Sequence, residues 1–157
     1  MVLSRCSYLM KVAASRTTSA HILIVDDNSM GLMARRTILE ELGHRVQTCS
    51  SAEDALEQCG KDRFDVVVTD YKMPKMNGVE FIAELRKHHP AVPVILISGF
   101  TDALGLNEST TGADAVIQKS ALEVGHLIRA VNRLLRRPPK KPVKPQLPDN
   151  GPKRRRA

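Results

Sequence analysis

Four short apolar runs in this chain each end on polar or charged residues, and helical patterns separate them. Residues 22–25 lead into Asp26 and Asp27, and residues 66–68 lead through Thr69 into Asp70. Residues 94–97 lead into Ser98, and residues 115–117 lead through Gln118 into Lys119. Runs this short, bounded by turn signals, read as strands buried on both faces of a parallel sheet. Arg45–Cys49 alternates apolar and polar residues, as a less buried fifth strand would. Open α/β sheets collect ligand chemistry beyond the carboxyl ends of their strands. The pattern therefore predicts that three carboxylates, one hydroxyl and one ammonium meet along one edge of one sheet. Such a set suits a divalent cation and a phosphoryl group.

Helical stripes fill the gaps between the runs. Ala34, Ile38 and Leu42, spaced by four, predict the inward face of a first helix, which Gly43 is placed to end. Ser50 and Glu53 have the spacing of a capping box, ahead of the stripe Ala52, Ala55, Leu56 and Cys59, which ends at Gly60. Asn77 and Glu80 repeat that spacing before Val79, Ile82 and Leu85, and Pro90 stops this third helix. The fourth helix belongs in residues 101–111, weakened by Gly105 and Asn107. The fifth is expected to start at a Ser120/Glu123 box and to bury Leu127, Val131, Leu134 and Leu135.

The charge is unevenly spread. The chain carries +7 over its 157 residues, but residues 21–136 hold 13 basic and 16 acidic groups. Residues 1–20 hold three basic groups and no acid, and residues 137–157 hold eight basic groups and one acid. The basic character thus belongs to the ends, and it does not make the body a nucleic-acid binder. The length suits one domain with a sizeable core, and that core is aliphatic, because there are two Tyr, three Phe and no Trp. Cys6, Cys49 and Cys59 lack zinc-ligand spacing and read as reduced thiols of a cytoplasmic protein. No apolar run approaches the roughly 18 residues needed to span a bilayer. His88 and His89 fall where a helix end favours them, and His21, His44 and His126 show no partner in the pattern. Pro139, Pro142, Pro145 and Pro148 would line one edge of a polyproline II helix in a stiff, solvated tail.

Taken together, Asp26-Asp27, Asp70, Met73-Pro74 with Met76-Asn77-Gly78, Ser98-Gly99 and Lys119 resemble the receiver domain of two-component response regulators. The resemblance covers about residues 21–136. It implies an α/β fold, a doubly wound five-stranded parallel sheet of flavodoxin-like order 2-1-3-4-5 with helices on both faces. The division expected is a disordered basic extension over 1–20, the receiver over 21–137, and a disordered Pro/Lys/Arg-rich tail over 138–157.

The resemblance also implies roles. Asp70 becomes the phosphoacceptor, a carboxylate nucleophile that forms an acyl phosphate. Mg²⁺ is the implied cofactor, bound directly by Asp27 and Asp70, through water by Asp26, and by the backbone carbonyl of Lys72. The donor set supports this independently, since oxygen-only ligands favour that ion and crowded carboxylates repel until a cation arrives. Lys119 and Ser98 would bind the phosphoryl oxygens, and Gly99 leaves backbone room beside them. The donor would be a sensor histidine kinase or a histidine phosphotransfer protein, and the output an altered contact with a downstream protein. A homodimer is compatible with this, and a membrane role is not implied. The protein would act as a stand-alone receiver with no turnover chemistry beyond its own phosphorylation and hydrolysis.

Two positions depart from the family pattern. Val116 stands at the switch position, where receivers often carry Tyr or Phe that moves inward, and an aliphatic side chain cannot make that swing. Ser120 follows the Lys where a cis-linked Pro is common; a cis bond to Ser would cost about 2.5–4 kcal/mol, so a trans bond is expected, with Ser120 capping the last helix. The alternatives are a receiver fold used as a phosphorylation-independent interaction module, and a polyanion or nucleic-acid binder working through Lys153-Arg154-Arg155-Arg156. The tandem Asp26-Asp27 argues against an Asp-x-Asp phosphatase, and neither a Walker A nor a dinucleotide motif is present.

Overall fold

The computed structural model describes residues 18–138. In chain order these form β1 (His21–Val25), α1 (Ser29–Glu41), β2 (Arg45–Cys49), α2 (Ala52–Lys61), β3 (Val66–Asp70) and α3 (Gly78–His88). There follow β4 (Val94–Ser98), α4 (Thr101–Leu104), α5 (Glu108–Thr111), β5 (Ala115–Gln118) and α6 (Glu123–Leu135). Every strand pairing is parallel, and the order is β2-β1-β3-β4-β5. This is the flavodoxin-like sheet expected from the sequence.

Side-chain alternation along each strand divides the core in two. Ile22, Ile24, Val66, Val68, Ile95 and Ile97 meet Leu39 of α1 and Leu127, Val131 and Leu134 of α6. On the opposite face, Leu23, Val25, Val67, Val94 and Leu96 meet Ala52, Ala55 and Cys59 of α2 and Phe81, Ile82 and Leu85 of α3. β3 and β4 are buried at all five positions, which is why each opens with an unbroken apolar run before its polar end. Cys49 and Cys59 are free and buried, and burial pushes both thiols up to about 11, so both stay protonated at neutral pH.

Several local expectations need correction. The inward face of α1 is rotated by one residue: Ala34 is exposed, Ile38 and Leu42 are half-buried, and Arg35 with Leu39 takes the buried positions. A cation holds an inward position there because two acids meet it. α2 is capped by Ser51, not Ser50, and Ser51 Oγ accepts from the Asp54 N–H. α2 also continues past Gly60 to Lys61. Phe81 is fully buried in α3, whereas Val79 is only half-buried. On α6, Ala130 is buried and Leu135 half-buried.

The Ser120/Glu123 box does not form. Leu122 is the N-cap of α6 and makes no side-chain cap bond. Ser120 Oγ accepts the Leu122 N–H within the preceding turn, and the Glu123 carboxylate turns to Arg35 instead. His21 and His44 do have partners: His21 Nδ1 lies 3.0 Å from the Arg63 carbonyl with its ring on Phe64, and His44 Nδ1 accepts the Ala20 N–H. Ala20 itself is buried, so the ordered body takes it in.

Other expectations hold. The Asn77/Glu80 capping box forms in full. Gly43 follows α1 with a φ of 91°, a conformation that glycine adopts without cost. The weak fourth helix is broken into α4 and α5, with Gly105 left-handed between them. The 119–120 peptide bond is trans, as are all those described. The expectations for Cys6, the basic extension and the Pro-rich tail fall on residues 1–17 and 139–157, outside the described residues.

Candidate acidic pocket at the strand ends

Asp70 is the last residue of β3, the central strand. Ser98 is the last of β4, the next strand, where Asp70 pairs in register with Ile97. Asp26 follows β1 on the other side of β3, and Lys119 follows β5. The topology thus gathers the expected residues at one carboxyl edge.

Asp26, Asp27 and Asp70 can each offer a carboxylate oxygen, all within 4.8 Å of one another. Asp26 and Asp70 are buried, and Asp27 is exposed. Three oxygen donors at such spacing, with no nitrogen or sulfur ligand among them, fit Mg²⁺ rather than zinc. Asp70 Oδ1 is buried, and the Lys119 ammonium stands 2.7 Å from it as an ion pair. Burial raises the Asp70 pKa above the ordinary carboxylate value, with Asp26 adding to the rise and Lys119 and Arg35 opposing it.

The loop after β3 is held close by Gly78. Its N–H donates to the Tyr71 carbonyl at 2.8 Å. A Cβ on Gly78 would overlap the Asp70 carbonyl oxygen and lie 2.7 Å from Leu96 Cδ1. Lys75 in the same loop has a φ of 66°, uncommon for a residue with a side chain. The Lys72 side chain is exposed. Ser98 Oγ accepts the Phe100 N–H at 3.1 Å, so its hydroxyl proton is free for another acceptor. Val116 is half-buried in β5 against the α2–α3 core.

Sequence patterning missed Arg35 and Glu123. Arg35 Nη1 donates to Asp26 Oδ2 at 2.5 Å, and its Nε donates to Glu123 Oε1 at 2.8 Å. Burial pulls its pKa down, but the bonds to Glu123 and Asp26 overcome that and leave it raised. Asp26 Oδ1 meanwhile accepts the Asn28 N–H, and Asn28 caps α1 through the N–H groups of Met30 and Gly31. The signal for Arg35 was an arginine three residues from Leu32 and four from Leu39, inside an otherwise apolar stripe.

The family model described as "Response regulator receiver domain" matches residues 22–132. The hydrogenase transcriptional regulatory protein HoxA of Cupriavidus necator is 40% identical over 95 residues, which is 57% of this chain and 19% of that protein. The first curated relatives are much longer, and the chain spans less than a fifth of each. A receiver domain protein from Clostridium thermocellum is 32% identical with a TM-score of 0.68, covering 74% of this chain and 94% of that one. The Thermotoga maritima regulator TrrA in complex with Mg²⁺ and BeF is 28% identical with a TM-score of 0.67, covering 74% of this chain and 99% of that one.

Proposed function

Because the chain belongs to the response regulator receiver family, we propose that Asp70 is its phosphoryl acceptor and that a phosphohistidine is the donor. One observation carries this: the buried Asp70 Oδ1 lies 2.7 Å from the Lys119 ammonium, and Asp70 shares its site with two further carboxylates. That oxygen attacks phosphorus, and the phosphorus–nitrogen bond of the donor breaks with its electron pair returning to the imidazole. Phosphoryl transfer is governed by positioning and charge neutralisation. Lys119 supplies one positive charge, and the Ser98 hydroxyl donates to a phosphoryl oxygen. Asp27, Asp70 and the Lys72 carbonyl would hold Mg²⁺, with Asp26 acting through water, and the ion would supply further neutralisation.

The donor would be a sensor histidine kinase or a histidine phosphotransfer protein. The output follows from new charge at Asp70, of about −1.5 to −2 by analogy with other phosphorylated residues. The segment beyond Ser98 is suited to respond, because α4 and α5 are single turns and Phe100 and Leu104 are about half exposed. No described helix is long and apolar enough to cross a membrane.

The test is intact mass after incubation with Mg²⁺ and acetyl phosphate, beside an Asp70→Ala control. A phosphoryl-sized gain that needs Mg²⁺ and vanishes in the control supports the reading. No gain in the folded protein, from acetyl phosphate or from a competent phosphohistidine donor, overturns it in favour of an unswitched interaction module.

A further inference from the structure

We propose that Arg35 is a positioning residue that tunes the affinity of the acidic pocket for its divalent cation and ties the pocket to the first turn of α6 through Glu123. The inference rests on the receiver reading and names a control on the same site. Three observations support it. Arg35 is buried, with only 8% of its side chain exposed, and its two acids are 2% and 18% exposed. Buried charges persist only when paired and hydrogen-bonded, and here one guanidinium spans two acids from separate elements, 88 residues apart in sequence for Glu123. The third observation is Gly31. A glycine inside a helix is unfavourable, but a Cβ here would lie 3.0 Å from Asp26 Oδ2 and 3.4 Å from Arg35 Nη1. The helix omits a side chain at the place where the ion pair needs room.

Arg35 holds Asp26 by Oδ2 while the Asn28 N–H holds it by Oδ1, so that carboxylate is fixed before any cation arrives. The guanidinium also removes one negative charge from the field a divalent ion would meet. Glu123 opposes this by drawing part of the guanidinium toward α6. The two residues should therefore act on the cation in opposite senses: losing the Arg35 charge strengthens binding, and losing the Glu123 charge weakens it.

Calorimetric titration with Mg²⁺ tests this on the full chain, the Arg35→Met variant and the Glu123→Gln variant. The Kd should fall by about tenfold in R35M and rise by about threefold in E123Q, since Arg35 pairs directly with one acid of the pocket and Glu123 pairs with Arg35. Arg35→Lys, which keeps the charge, should stay near the unmodified protein. Nonspecific damage to the fold would move R35M and E123Q the same way, so opposite shifts mark the electrostatic role. Equal Kd values across the set, or weaker binding in R35M with E123Q still folded, overturn the inference. A parent protein that takes phosphate on Asp70 while Kd ignores Arg35 sinks this inference alone. Mg²⁺ binding in none of the variants sinks the metal reading and this control with it.

Discussion

Lys119 Nζ stands 2.7 Å from Asp70 Oδ1, although their strands are not neighbours and β4 lies between them. The ammonium therefore spans the end of β4 to reach the acid. It is 38% exposed, against 4% for the Asp70 side chain. A partly exposed cation therefore meets a buried carboxylate. Replacing it by Lys119→Met should slow phosphoryl acceptance from acetyl phosphate by about 100-fold, the range found when one transition-state charge partner is removed. Lys119 also lowers the Asp70 pKa against burial. The acid limb of the rate profile should therefore move to higher pH in the variant, measured by intact mass at timed quenches.

The same burial has a cost in stability. The Asp70 pKa is raised in the folded state, so the group favours folding below its unfolded pKa and loses that contribution as pH rises through the folded value. At neutral pH the charged form is disfavoured by the fold. Asp70→Asn should consequently raise Tm by about 2–4 °C, as often happens when a strained functional group is neutralised. Differential scanning calorimetry at pH 7.5 reads this directly, and a lower Tm would show that the Lys119 pair outweighs desolvation.

The strand-end residues were legible because β1, β3 and β4 lie inside the sheet with both faces covered. Burial on both faces forces continuous apolar runs, and the residue that breaks each run marks the edge where chemistry is exposed. The Asn77 box was legible because both of its partners lie within three residues. The Ser50 box misled because Ser50 has Glu53 and Ser51 has Asp54 at the same spacing; the local chemistry is degenerate, and the end of β2 at Cys49 leaves Ser51 as the cap. Ser120 misled because Glu123 has a better partner in Arg35, which no local window contains. Apolar periodicity assigns the inward face of α1 to Ala34 for the same reason. A buried cation looks like a solvated one until the acid that meets it is located in space.

Gly78 illustrates a close approach that permits no side chain. A Cβ would overlap the Asp70 carbonyl oxygen and press on Leu96 and Tyr71. Two of these obstacles are backbone atoms, which cannot rotate away. Gly78→Ala should cost about 1–3 kcal/mol, the range for overpacking a buried site. It should also slow phosphorylation, since the strain falls on the backbone of Asp70 itself. Urea unfolding with the timed mass assay on the same sample checks both; an unchanged midpoint would mean that α3 slides out without disturbing β3.

His44 gives the fold a dependence on mild acid that is separate from the pocket. It lies just before β2, is 5% exposed, and its Nδ1 accepts the Ala20 N–H. Its Nε2 is buried without a partner. Burial lowers its pKa below the ordinary value of 6.5, because a proton on the ring would create a buried charge. The sign follows from proton counting: below pH 6.5 the unfolded chain takes up a proton that the folded chain refuses, so stability falls with pH until the lowered folded value is reached. The contribution is fully present above pH 6.5. Stability from urea unfolding should therefore decline between pH 7 and pH 5.5. His44→Asn, whose side-chain oxygen can still accept from Ala20 and does not titrate in this range, should flatten that slope while lowering stability at pH 7.5 by about 1 kcal/mol through lost packing. An equally steep decline in the variant would assign the effect to other groups.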